Sequence, residues 1–339
     1  MTERIKALKL IFSVSRFLGF APFCIKDTGH LEASRLFIIY SYIPFLSALI
    51  FGGYSFFRKI NEIEKEELMI ACTNVMAFIS MFAHVSSFIR SIRCRQTIVQ
   101  TVHQLLLIDS LTKENENVKL FKKNIYKLLL AVVILGIPKI GLINLLGIRL
   151  LITELICTFG DYVVILQFSF LVSLSREYLT YLNLEILEMY EKSKESVKQS
   201  NSVEYVFLKS NFGYAKSTKS ANTSGGVRFW ALDVVNKHHR ICDVLLNVNR
   251  AFSLQILLNI AKFFTYLTYS SYFLVTITFS QEFPPSYRLY IVHFVHLFVS
   301  GVFQLLMIVV VCFTTVEEVS LSNYKLLIAM LINCRIAHN

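Results

Sequence analysis

Residues Leu289–Phe313 read LYIVHFVHLFVSGVFQLLMIVVVCF, without one Asp, Glu, Lys or Arg. A helix rises 1.5 Å per residue, so about 20 mostly apolar residues cover the roughly 30 Å of hydrocarbon in a bilayer. This stretch is long enough to cross. Working outward from it, five more stretches read the same way: Arg35–Phe57, Leu68–Ile89, about Ile125–Leu146 with Pro138 inside, about Leu150–Leu174, and Phe252–Phe279. Proline is tolerated in a membrane helix when neighbours satisfy the freed carbonyl. The expected fold is all-α, a polytopic membrane helical bundle of six spans. Leu326–Ile332 is apolar but far below spanning length.

Composition agrees with this. Of 339 residues, 55% are hydrophobic and only 17% charged, against about a quarter charged in soluble domains. The formal charge of +11 would point to nucleic acid in a soluble chain, but the Lys and Arg residues lie in particular loops rather than on one surface. No nucleic-acid partner is expected; the lipid bilayer is. The seven cysteines, Cys24, Cys72, Cys94, Cys157, Cys242, Cys312 and Cys334, show no Cys-x-x-Cys spacing and read as free thiols. Arg16 interrupts the first apolar run and no small-residue cleavage site follows, so an internal helix is expected to lead insertion.

Orientation follows from the basic residues, which cytosolic loops retain. Arg4, Lys6, Lys9, Arg16 and Lys26 precede the first span; Arg90, Arg93, Arg95, Lys113, Lys119, Lys122 and Lys123 follow the second. The longest loop runs from Arg176 through Lys192, Lys194 and Lys198 to Lys237, Arg240 and Arg250. The opposite side holds Arg58, Lys59 and Lys65, diluted by Glu62, Glu64, Glu66 and Glu67, then Arg149 and Arg288 singly. The amino terminus is therefore expected in the cytosol, with the chain in the cell membrane. The organisation is a cytosolic segment 1–34, spans one to four within 35–175, a cytosolic loop 176–251, spans five and six within 252–313, and a cytosolic tail 314–339. Within the loop, Leu179, Leu182, Ile186, Leu187 and Tyr190 extend the fourth helix, and Val235, Cys242, Leu245 and Val248 feed the fifth. Lys192–Gly226 between them is rich in Ser, Lys and Asn and reads as a flexible insert. Asn222-Thr223-Ser224 has the glycosylation pattern, but on the cytosolic side it stays unmodified.

No Gly-rich phosphate loop, His-Glu-x-x-His helix or nucleophile elbow is present, so there is no catalytic site and no cofactor to expect. Charges inside spans are the sharper signal, because an unpaired charge in hydrocarbon costs several kcal/mol. Lys139, Glu154 and Asp161 are the candidates. Lys139 and Asp161 both lie roughly 15 to 18 Å from the external turn near Arg149 at 1.5 Å per residue, so they are expected to pair across neighbouring antiparallel helices. Such a pair either pins two helices or lines a polar ligand cavity. The fifth span places Tyr266, Tyr269 and Tyr272 at steps of three, with Thr265, Thr268, Ser271 and Thr276 nearby; the sixth places Tyr290, His293, His296 and Ser300 alike. Tyr269, Tyr272, Thr276, Tyr290, His293 and His296 fall in the outer half, where rings with polar tips suit a small-ligand pocket or an interhelical packing face. Two histidines without a further carboxylate or thiol do not make a metal site.

Several runs resemble insect gustatory receptors. Arg16-Phe17-Leu18-Gly19-Phe20-Ala21-Pro22-Phe23 is similar to that family's entry to its first span. Gln167-Phe168, Leu171, Leu174, Arg176-Glu177, Leu179 and Leu182-Asn183 resemble its fourth-helix run. His239-Arg240-Ile241-Cys242-Asp243, then Asn249, Phe252-Ser253, Gln255, Leu257-Leu258, Ile260, Phe263, Leu267-Thr268 and Tyr272, look like its approach to the fifth helix; Thr315, Glu318 and Tyr324-Lys325-Leu326-Leu327 resemble the linker after its sixth. The resemblance implies a chemoreceptor inverted relative to G-protein-coupled receptors. It further implies a tetrameric ligand-gated cation channel, homo- or hetero-oligomeric, that binds a small-molecule tastant in an outward-facing pocket and joins subunits through cytosolic extensions. The family's seventh helix, with Thr-Tyr and Gln-Phe, has no match; Asp161-Tyr162 and Gln167-Phe168 are only a near miss. No pore residue is carried over, and the chain alone is expected to insert without conducting. A G-protein-coupled receptor would need a third-helix Asp/Glu-Arg-Tyr and a seventh-helix Asn-Pro-x-x-Tyr, and a secondary transporter internal repeats; none is found.

Overall fold

A computed structural model describes residues 3–17, 19–21, 23–25, 31–33, 35–61, 67–111, 149–207, 221–279 and 287–338. Seven helices lie among them: α1 (Glu3–Phe17), α2 (Arg35–Asn61), α3 (Glu67–Arg93), α4 (Arg95–Leu111), α5 (Arg149–Phe207), α6 (Ala221–Phe279) and α7 (Tyr287–His338). Three contain segments long and apolar enough to cross a membrane: Cys157–Glu188, Asp233–Thr276 and Ile291–Leu327. The first, second, fourth, fifth and sixth expected spans fall on α2, α3, α5, α6 and α7; the third lies outside the described residues.

The described residues are helical as expected, with one short strand pair beside the helices. Phe23–Ile25 (β1) and Leu31–Ala33 (β2) form an antiparallel pair with Phe23 opposite Ala33 and Ile25 opposite Leu31. Phe and Ile favour strands, and pairing gives the backbone groups of this short connection their partners. The helices also reach further than the apolar runs. Residues 192–207 and 221–226, expected within a flexible insert, are helical, and Leu326–Ile332 continues α7 without a break.

The chain divides into two compact units, Met1–Leu171 with Leu246–Val311, and Val172–Leu245 with Cys312–Asn339. In the first, α1, α3 and α6 each bury one stripe at helical spacing. On α1 it is Leu8, Ile11, Phe12 and Ser15; on α3 Met76, Ser80, Ala83, His84, Ser87 and Ser91; on α6 Phe252, Gln255, Asn259, Lys262, Phe263, Tyr266, Ser270 and Phe273. The opposite faces are apolar as well as exposed: Leu36, Ile39, Ile43 and Leu46 on α2, Leu257, Phe264 and Val275 on α6, Val292, Val299, Leu306 and Val309 on α7. An apolar outer face around a partly polar interior is what lipid surroundings favour. Helix α5 differs. From Gly160 to Leu171 every residue is buried, so it is enclosed all round.

The amino-terminal approach is built with care at one glycine. Gly19 ends α1 at φ 84°, with its N–H donating to Arg16 O at 2.9 Å and Phe20 N–H to Ser15 O at 2.8 Å. This paired capping pattern needs a left-handed residue, which glycine adopts without a Cβ penalty. Arg16 stacks over Phe37, 4.5 Å from the ring centroid. Phe45 stacks on Phe88 at 4.3 Å, joining α2 to α3.

In the second unit α5 buries Tyr178, Leu179, Leu182 and Ile186, and α6 buries Val234, Ile241 and Val244. Arg176 Nη1 donates to Thr314 Oγ1 at 2.7 Å, Thr180 Oγ1 to Glu318 Oε1 at 2.6 Å, and Lys237 Nζ reaches Glu185 at 3.2 Å and Asp233 at 2.9 Å.

Candidate functional site

On a helix enclosed on every side, a polar side chain is costly unless the protein itself pairs it. Helix α5 carries four such groups in its enclosed length: Asp161, Tyr162, Gln167 and Ser169. Asp161 forms an ion pair with Lys262 of α6, and both side chains are nearly fully buried. Two ions leave water at a cost of several kcal/mol each, so only close pairing keeps them charged there. The Lys262 ammonium also lies 5.2 Å from the centroid of the Tyr266 ring, a further cation contact.

Other polar groups extend from this pair onto two more helices. Tyr162 Oη and Ser300 Oγ of α7 are 2.5 Å apart, and Gln304 Nε2 donates to the same hydroxyl at 3.3 Å. Gln255 Nε2 of α6 donates to Ser87 O at 2.7 Å and Ser91 Oγ at 3.1 Å on α3. Beside Asp161, Gly160 leaves room for two rings. A Cβ added there would lie 2.8 Å from His84 and from Phe20, which meet edge to face at 5.3 Å. Phe20, from the amino-terminal approach, thus closes the layer on that side. Two amides remain: Asn259, fully buried, and Gln167, 1% exposed, have no hydrogen-bond partner among the described residues. The result is a buried polar layer spread over α3, α5, α6 and α7. It holds charge, hydroxyls and amides, the groups that bind polar small molecules.

The residues singled out in the sequence are distributed as follows. Asp161 lies in this layer. Lys139 lies outside the described residues, as do the side chains of Glu154 and Tyr290; the described partner of Asp161 is Lys262. Tyr269 is buried in an aromatic cluster with Met76, Tyr266, Phe273, Phe294 and Leu297. Its ring meets Phe294 at 5.3 Å, and Phe273 meets Phe294 at 4.0 Å. His293 and His296 are half-buried, His293 against the ring of Phe294 at 5.6 Å. Tyr272 and Thr276 sit on the exposed face of α6, where Thr276 Oγ1 donates back to Tyr272 O at 2.9 Å. Tyr269 thus joins the cluster while Tyr272 and Thr276 point away from it.

Lys262 was missed, although the signal was present. It is the sole Asp, Glu, Lys or Arg between Phe252 and Phe279, and a single charge in a span demands a partner. The four cysteines whose side chains are described, Cys94, Cys157, Cys242 and Cys312, are not joined in disulfides. Among the described residues no three His, Cys, Asp or Glu side chains are grouped to hold a metal.

No curated protein is significantly similar to the chain. Residues 8–332 match the pattern of the family described as 7tm Chemosensory receptor, which takes in all the helices of both units but their outermost turns. This is a receptor family and not an enzyme family, and its members bind small molecules. The chain, with its membrane-length helices and buried polar layer, belongs to the 7tm chemosensory receptor family, that of the insect gustatory and odorant receptors.

Proposed function

We propose that the protein is a gustatory receptor, a subunit of a ligand-gated cation channel in the cell membrane that detects a small-molecule tastant. The observation that carries the reading is the family match over residues 8–332. The order of the resembling motifs, from Arg16–Phe23 to Tyr324–Leu327, supports gustatory rather than odorant detection. The distribution of basic residues supports a cytosolic amino terminus, with 176–251 and 314–339 on the same side. Assembly is as a homo- or heterotetramer with other gustatory receptors.

Two places are available for ligand on this reading. The outer half of α6 and α7 carries Tyr269, Tyr272, Thr276, Tyr290, His293 and His296, and Lys139 of the expected third span is a further candidate. The buried layer around Asp161 and Lys262 lies deeper. Ligand contact in the outer group with transmission through the layer fits the chemistry of both. Whole-cell recording from cells co-expressing the chain with a second gustatory receptor, across sugars, bitter compounds and volatile odorants, tests the proposal. A tastant-evoked cation current is expected, shifted in dose response by His293→Ala and His296→Ala. Responses to volatiles alone would assign the chain to odour detection, and unchanged dose responses would return both histidines to packing.

A further inference from the structure

Three arginines of the first unit, Arg90, Arg93 and Arg250, come together where α3 gives way to α4. Arg90 is in the last turn of α3; its Nε donates to Ala251 O of α6 at 3.4 Å, and its Nη2 donates to Arg250 O. These bonds fix the guanidinium beside Arg250 and use two of its five N–H donors, leaving three. Arg93 follows on α3 and is exposed, Arg95 opens α4 after Cys94, and Arg250 is exposed on α6. Cys94 N–H donates to Arg90 O at 2.8 Å and Ile98 N–H to Cys94 O at 3.0 Å, so the helical path runs on through the junction and Arg95, two residues after Arg93, projects from the other side. Among the described residues none of Arg90, Arg93 and Arg250 has a carboxylate partner, whereas Asp161 and Lys262 within the same unit are paired.

Basic residues that only set topology need to be on the right side of the membrane and no more. Arg90 does more than that. Its side chain is held on the backbone carbonyls of Arg250 and Ala251, which ties the end of α3 to α6 at the point where Arg250 leaves it. Guanidinium groups take phosphate oxygens in paired, planar fashion. A lipid with one negative charge leaves most of the cluster unmatched; a headgroup with several phosphates does not. We propose that Arg90, Arg93 and Arg250 form a binding site for an anionic lipid headgroup of the cytosolic leaflet bearing more than one phosphate, the chemistry of a phosphorylated inositol lipid. The sidedness rests on the cytosolic amino terminus proposed above.

Native mass spectrometry of the full chain, released from micelles with added phosphatidylcholine, phosphatidylserine or phosphatidylinositol bisphosphate, reads the site directly. The bisphosphate adduct is expected to survive where the other two are lost. Each arginine near an anionic surface adds to the attraction, so Arg93→Gln with Arg250→Gln is expected to lower retention roughly tenfold or more. Arg93→Lys with Arg250→Lys keeps both charges, guards against a folding defect, and is expected to lie between wild type and the glutamine pair. Equal retention of phosphatidylserine, or an unchanged adduct in the glutamine pair, overturns the site. Equal binding of soluble inositol bisphosphate without acyl chains would assign the cluster to a free phosphate compound and overturn the lipid. A glycosylation tag placed before Met1 checks the sidedness separately: its modification would sink the cytosolic reading while leaving the adduct measurement intact.

Discussion

The two compact units join the same helices, α5, α6 and α7, with opposite kinds of polar contact. In the first, Asp161 and Lys262 have side chains 2% and 1% exposed and form a closed pair. In the second, Lys237 and Glu185 are 25% and 23% exposed, and Asp233, the second partner of Lys237, is 50% exposed. The chemistry is alike and the surroundings are not. Where water reaches, an ion pair adds a few tenths of a kcal/mol to about 1 kcal/mol, and either partner is solvated without the other. Where it does not, losing one partner strands the other, and the pair behaves as a single obligatory element. One unit is therefore organised by a few contacts that must be made, the other by many that are individually dispensable.

The largest effect expected is at Asp161. Asp161→Ala leaves the Lys262 ammonium in the enclosed layer and is expected to destabilise the protein by about 3–5 kcal/mol, with surface expression falling accordingly. Adding Lys262→Met removes the stranded charge and should restore most of the loss, because coupled sites are not additive. Cell-surface labelling and thermal unfolding of the purified singles and double measure this. Additive losses would mean that the two residues act separately, and the contrast between the units would fall with them. The same cycle settles Lys139: if Lys139→Met also rescues Asp161→Ala, the carboxylate serves both cations.

Next in size is Gly160. A Cβ at this position meets His84 and Phe20 at 2.8 Å, and the enclosed length of α5 gives those rings little space to retreat. Gly160→Val is expected to cost about 1–3 kcal/mol, the range for overpacking. Phe20→Ala in the same chain should relieve part of it. Unfolding midpoints for the three variants check this; no relief would place the strain on His84 alone.

What the sequence revealed follows from which features are local. Span length is local, and the runs ending at Phe57, Ile89, Leu174, Phe279 and Phe313 all lie on helices. A buried charge is local too, and Asp161 stood out. The choice of its partner is not, because 3.6-residue periodicity says which face of a helix is buried but not which helix lies opposite. Lys262 was hidden among the Tyr and Thr residues of the fifth span, and attention to ring spacing passed over the one charge there. Gln167 stood out only within the family resemblance and Asn259 not at all, because a single amide in a span is unexceptional until its surroundings are known. The extension of α5 to Phe207 was equally illegible: Ser, Lys and Asn disfavour burial but do not forbid a helix once its preceding turns are packed.

A smaller effect is expected at the amino-terminal cap. Gly19 occupies φ 84°, where a Cβ costs roughly 1–2 kcal/mol. Gly19→Asn, which tolerates this region, should cost less than Gly19→Ala. If the cap serves to direct Phe20 into the polar layer, Gly19→Ala combined with Phe20→Ala should cost less than the sum of the two. Equal effects of Ala and Asn would show that backbone conformation is not what Gly19 supplies.

The smallest effect, and the sharpest test of the contrast, is at Lys237. Its ammonium lies 3.2 Å from Glu185 across two helices and 2.9 Å from Asp233 one turn back on its own. With a quarter of the side chain exposed, loss of the charge leaves two carboxylates that water hydrates, so Lys237→Gln should change unfolding free energy by no more than about 1 kcal/mol. Screening sharpens the comparison. At physiological ionic strength the Debye length is about 8 Å and at 1 M salt about 3 Å, so the difference between wild type and Lys237→Gln should shrink as salt is raised. The difference between wild type and Asp161→Ala should not, because mobile ions do not enter the enclosed layer. Unfolding of the three proteins across a salt series therefore places both pairs on one scale. If Lys237→Gln proves as costly as Asp161→Ala, or if salt moves both alike, the two units share one electrostatic environment and the distinction drawn from their burial does not hold.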